Sequence, residues 1–230
     1  MSSFSGCSFR RETKFSPLLY STSTITTMKF KMKKVKIALL ASLLLLASGL
    51  NVNAQKAKKW NVDKSHASVN FSVNHFFSAV TGKFKDFSGD ITYAPDDLEG
   101  SKVSFTIQTK SVDTDEDERD KHLQSEDFFA AEKFPTITFV SNKFVKKSDK
   151  LYEVVGKLTM RGTSKEIALP LTITGRMDNP WKKGYEILGF SINTTLDRTD
   201  YGVGTGSLAA TAIVGDEVLI SISMELDAEK

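Results

Sequence analysis

Arg119, Asp120 and His122 lie together in one short, highly charged segment. By residue type they could act as an acid–base set: imidazole and carboxylate to move a proton, guanidinium to hold an anion. The same residues also suit a structural clamp. An arginine fork matches a buried carboxylate or several backbone carbonyls, so Arg119 would fix the segment that carries it. We favour the clamp, with a share in recognising the polar end of a ligand left open. No Gly-x-Ser-x-Gly or His-Glu-x-x-His pattern follows residue 54, so the sequence assigns no catalytic residue.

Other polar groups fit their templates less well. Asp113, Asp115 and Asp117 have calcium-loop spacing, but Glu118 stands where the loop needs glycine. Gln124 stands where it needs a bidentate glutamate. A solvated acidic loop leading into a short helix accounts for them, with Asp117 and Glu118 favouring the helix start. The histidines are His66, His75 and His122, and His66 and His75 are an odd number of residues apart. On a regular strand that puts them on opposite faces, so we assign no metal site and no cofactor. Gly202, Gly204 and Gly206 suggest a glycine fingerprint, but Ser207 breaks the spacing. They read as a flexible loop.

The elements that must position these groups alternate with period two, as half-buried strands do. Gln55 to Lys59 is a polar lead-in, and Val69, Phe71 and Val73 then share one face. From Thr81 to Tyr93, Gly82 and Phe84 share one parity while Phe87, Gly89, Ile91 and Tyr93 share the other. One extra residue near Lys85-Asp86 restores the register, which predicts a bulge or bend there. Further strands carry Val103, Phe105 and Ile107; Ile137 and Phe139; then Val154, Leu158 and Met160. The last three carry Ile167 to Ile173; Leu188, Phe190 and Ile192; and Val218 to Leu226. Pro170 cannot donate to a ladder, so its strand should be at an edge or bulged there. About eight short strands with little helix indicate an all-β sandwich or barrel. A barrel is favoured because the long last strand can pair with the first. Alternation leaves open whether its interior is filled by side chains or holds one ligand.

Residues 1–54 read as an extension and a secretory signal peptide, and residues 55–230 as one barrel domain. Lys29 to Lys36 is basic, Ile37 to Leu46 is apolar, and Val52-Asn53-Ala54 offers a cleavage site after Ala54. The apolar run is well short of the ~20 residues of a spanning helix. Met1, Met28 or Met32 would serve as start. Cys7 lies within this leader, so no disulfide staples the remainder. Without the leader the net charge moves from +3 to −4, since residues 1–54 hold eight basic and one acidic group. A mildly acidic domain argues against nucleic acid as a partner. The expectation is a secreted or periplasmic protein.

The segment Arg119-Asp120-x-His122-Leu123, Asp127-Phe128-Phe129, Phe134-Pro135-x-Ile137-x-Phe139 closely resembles the signature of the YceI-like family. Those are lipocalin-like β-barrel proteins that bind polyisoprenoid lipids. Trp60-x-x-Asp63-x-x-His66, Gly82-x-Phe84-x-x-Phe87 and Arg198-x-Asp200-Tyr201-Gly202 are similar to other parts of the family pattern. Ala79 and Ala130 depart from it. The resemblance implies an antiparallel lipocalin-like β-barrel of about eight strands with one or two short helices. It further implies an apolar tunnel for an isoprenoid lipid and a homodimer; a carrier of such a lipid would also make transient contact with a membrane. Phe71, Phe84, Phe105, Phe139 and Phe190 are then tunnel wall, where otherwise they would be packed core. Val73, Ile107, Leu158, Ile192 and Ile220 share those faces. Arg119, Asp120 and His122 become a head-group or structural clamp. Two other classes stay open: an enzyme on a small apolar substrate, and a packed barrel acting as an interaction module.

Overall fold

The computed structural model describes residues 55–206 and 213–230; the expected signal segment lies outside them, as does Ser207. The described residues form ten strands: β1 Lys58–His75, β2 Ser78–Phe84, β3 Phe87–Tyr93, β4 Lys102–Gln108, β5 Val112–Asp113, β6 Thr136–Lys146, β7 Leu151–Met160, β8 Thr163–Asp178, β9 Tyr185–Asp197 and β10 Val214–Glu229. An α-helix, α1 Asp117–Gln124, lies between β5 and β6. Strands neighbour one another in the order β10-β9-β8-β7-β6-β4-β3-β1, and β10 also pairs with β1. All the pairings are antiparallel, which closes an eight-stranded barrel; β2 and β5 extend it at one end.

The closure follows from the last strand meeting the first. Val69 lies opposite Ile222, Phe71 opposite Ile220 and Val73 opposite Val218, so both apolar faces turn inward together. The expected parity break is real: the chain leaves strand geometry at Lys85-Asp86, between β2 and β3. Phe84 and Phe87 are both buried as a result. Lys85 N–H donates to Ser111 O at 3.0 Å and Gln108 N–H to Asp86 O at 2.9 Å, which satisfies the bent backbone.

Two sequence expectations need correction. Strand β1 starts at Lys58, inside the expected polar lead-in, rather than near Val69. Lys58-Lys59-Trp60 pairs with Ile91-Thr92-Tyr93, and Trp60 is fully buried with its indole donating to Tyr93 O at 3.0 Å. Alternation is lost between Asp63 and Ser68 because β1 bulges there, so no period-two signal marks the strand's first half. Strand β8 is not an edge strand, since β7 and β9 flank it. Pro170 pairs with Glu153 on the β7 side, and the β9 ladder begins at Leu171. The missing N–H thus falls where the second ladder ends.

Candidate functional site

Two apolar cavities lie inside the barrel. The outer chamber has a volume of about 310 Å³ and the inner one about 130 Å³. Phe71, Phe84, Ile137, Met160, Leu196 and Ile220 line both, so they form a waist between adjoining spaces. Together the chambers fall in the ~300–1,000 Å³ range typical of ligand pockets. The interior is therefore not filled by side chains, and a fully packed barrel is set aside.

Each of the ten apolar residues expected to form the tunnel wall lines one of these spaces. Phe71, Val73, Phe84 and Ile220 line the outer chamber. Phe105, Ile107, Phe139, Leu158, Phe190 and Ile192 line the inner one, which Phe71, Phe84 and Ile220 also reach. At the waist the Phe71 and Phe84 rings lie 5.7 Å apart, and Phe129 meets Phe84 edge-on at 5.8 Å. Gly82, having no side chain, leaves room for the Phe71 ring at the waist. A Cβ there would stand 2.4 Å from the tip of the Phe71 ring.

The outer chamber is capped by α1 and the loop after it. The Glu116 carboxylate accepts from Glu118 N–H at 3.1 Å and Arg119 N–H at 2.6 Å, an N-cap that starts the helix. Leu123, Phe128 and Phe129 face the cavity below. Arg161, at the two-residue turn between β7 and β8, donates to Glu126 O at 2.7 Å and so ties the cap loop to the barrel.

Arg119 and Asp120 both act on Thr114. Thr114 N–H and hydroxyl donate to Asp120 Oδ1 at 2.8 and 2.6 Å. Arg119 donates to the Thr114 hydroxyl and to Thr114 O, each at 2.7 Å. Arg119 thus grips a backbone carbonyl and a hydroxyl. Arg119 has no carboxylate partner at ion-pair distance among the described residues. Arg119 and His122 border the outer chamber, whereas Asp120 does not. His122 is exposed, 3.3 Å from Asp127 and edge-on to Phe128 at 5.0 Å.

The deeper clamp, which the sequence reading missed, is Arg198, only 6% exposed. It donates to Val203 O at 2.7 Å, Val214 O at 2.8 Å, Gly215 O at 2.9 Å and Gly204 O at 3.0 Å. It also reaches Asp216 Oδ1 at 3.0 Å. The glycine loop, expected to be flexible, is instead pinned from Gly202 to Gly204. Gly204 has φ of 67°, and a Cβ there would come within 2.6 Å of the guanidinium and 2.8 Å of Phe128. The available signal was an arginine just before a glycine-rich turn, a place where free carbonyls collect.

The chamber rim is polar. Asp197 is held below the usual carboxylate range by hydrogen bonds from the Thr199 hydroxyl and the Thr199 N–H. Burial pushes the Tyr201 phenol up, so it stays neutral. Its hydroxyl has no partner among the described residues, although Tyr201 lines the cavity. The arrangement suits an amphipathic molecule with its apolar part inward and its polar end toward Arg119 and His122. On the outer surface, Asp63, His66 and Glu225 bring ligand-type atoms within 4.8 Å of one another. A hydrogen bond of 2.8 Å between His66 and Asp63 accounts for that group as an ion pair.

Comparison with known proteins fits this geometry. The family model for the YceI-like domain matches residues 60–226. Protein YceI of Salmonella arizonae is 36% identical over 194 residues, covering 83% of this chain and 97% of that protein. The crystal structure of the Campylobacter jejuni YCEI protein is similar with a TM-score of 0.60 and 35% identity, over 75% of this chain and 99% of that one. A polyisoprenoid-binding domain from Saccharophagus degradans has the same fold at 16% identity and a TM-score of 0.55, over 74% and 97% of the two chains.

Proposed function

Because the chain belongs to the YceI-like family, we propose that it is a lipid-binding barrel that holds an isoprenoid, polyprenyl or quinone-like, for storage or transport. The observation that carries this reading is the pair of adjoining apolar chambers under a polar rim. A barrel of the same fold is described as polyisoprenoid-binding, which suggests the class of cargo. The reading assigns no catalytic step: Arg119 and Asp120 direct their polar atoms at Thr114, where they hold the cap.

The energetics suit a carrier. Each methylene taken from water contributes about 0.8 kcal/mol, and a membrane offers the same burial. Transfer between bilayer and barrel is therefore nearly balanced, while release into water is not. We further propose that the protein works after export, in the periplasm or outside the cell, as a homodimer that touches a membrane transiently to exchange cargo.

Protein purified without detergent should carry lipid. Organic extraction followed by mass spectrometry should find an isoprenoid at up to one chain per barrel. A native mass spectrum containing only apoprotein, from cells that make isoprenoid lipids, would overturn the reading.

A further inference from the structure

The β1–β2 hairpin turns at Phe76-Phe77, with His75 paired to Ser78. Tight two-residue turns favour Asn and Gly, because the backbone enters the left-handed region. Here Phe76 occupies that region at φ of 50°, and the two rings stack at a centroid distance of 6.4 Å. Neither ring is covered: Phe76 is 60% exposed and Phe77 104%. Phe76 N–H donates to Ile213 O at 2.9 Å, which fixes the tip against the start of β10.

Position and charge say what would cover them. Val73, His75 and Val80, on the two arms of this hairpin, line the outer chamber, so the tip prolongs the wall of the cavity. From Ala67 to Gly82 the chain holds no Asp, Glu, Lys or Arg. A hairpin end without formal charge can enter a low-dielectric layer without stripping water from an ion. Lys83 and Lys85 come next, at the base of the hairpin, with side chains 47% and 63% exposed. Both pair with Asp113, at 3.6 and 3.2 Å, so this charge stays at the base of the hairpin, at the level of lipid head groups.

We propose that Phe76 and Phe77 are a membrane-docking tip, which inserts into the interfacial layer of a bilayer and brings the mouth of the outer chamber against it. This rests on the lipid-carrier reading and adds the device by which cargo avoids water. Insertion driven by two rings is apolar, so it should persist at high salt, unlike attraction between charged surfaces.

The test uses the exported protein and vesicles of phosphatidylethanolamine and phosphatidylglycerol. Wild-type protein should float with the vesicles in both low and high salt. Phe76→Ser/Phe77→Ser should lower the bound fraction roughly tenfold or more, because two exposed rings supply the burial. Its melting temperature and lipid content on purification should stay near wild type. A Phe77→Trp variant in a Trp181→Phe background should show blue-shifted emission on vesicles, quenched by lipids brominated along the chain. Unchanged flotation of the double variant, or no quenching, would overturn the docking tip. Either result leaves the carrier reading intact if lipid is still extracted. An empty barrel whose tip is still quenched would do the reverse. If the double substitution converts a dimer to monomer in sedimentation while vesicle binding is unchanged, the tip is a subunit contact and the proposal falls.

Discussion

At the scale of single residues, the two arginines exchange the ranks their sequence context suggests. Arg119 sits in the most distinctive motif but is half-buried and grips one residue, Thr114. Arg198 is buried and donates to four backbone carbonyls, those of Val203, Gly204, Val214 and Gly215. Each buried acceptor left unsatisfied costs about 1–3 kcal/mol. Arg198→Ala should therefore lose at least about 3 kcal/mol in urea denaturation, and Arg119→Ala only about 1–2 kcal/mol. Arg198→Lys should rescue little, because three donors on one nitrogen cannot span the same acceptors. His66 offers a pH test. The hydrogen bond to Asp63 and the Asp63 charge raise the imidazole pKa above its ordinary value, and the same bond lowers that of Asp63. The pair's contribution to stability is thus present between the two shifted values. It is lost as pH rises through the His66 midpoint or falls through that of Asp63. Proton NMR should place the His66 midpoint above about 6.5, and Asp63→Asn should bring it back.

At the scale of elements, the waist is where β1, β2 and the cap loop meet through Phe71, Phe84 and Phe129. Removing the central ring joins the two chambers. Phe84→Ala should cost about 3–5 kcal/mol in the empty protein. It should also let the barrel retain longer isoprenoid tails, read by mass spectrometry of the extracted lipid. An unchanged tail-length distribution would mean the chambers do not accept one molecule in common. Gly82→Ala acts on the same element in the opposite sense. The added methyl drives the Phe71 ring away, so it should shift retention without opening a void.

At the scale of the whole molecule, cargo and fold are linked. A lipid that binds the folded barrel and not the unfolded chain raises stability by mass action. Delipidated protein should melt several degrees lower than protein as purified, and returning the extracted lipid should restore the difference. Equal melting curves would indicate that the lipid rides on the surface. The leader adds a second expectation at this scale. N-terminal sequencing of exported protein should begin at Gln55, and a mature form that keeps Ile37 to Leu46 would defeat the free-carrier reading.

The fold was legible because its signal is local. Alternation at Val69, Phe71 and Val73, and again at Ile220, Ile222 and Met224, states which faces turn inward. Once two such strands pair in register, barrel closure follows. The parity break at Lys85-Asp86 announced the bend for the same reason. Local pattern failed where the backbone departs from it: the bulge between Asp63 and Ser68 hid the first half of β1 and brought His66 beside Asp63. The role of Arg198 had only an indirect signal, its place before a glycine-rich turn, because four of its partners are backbone carbonyls, which every residue carries. Whether the interior was full or hollow also could not be read from alternation, since Phe105 or Phe190 faces inward either way. That depends on how far apart opposite walls stand. The distance between walls is set by closing eight strands around a ring, and only the closed barrel fixes it.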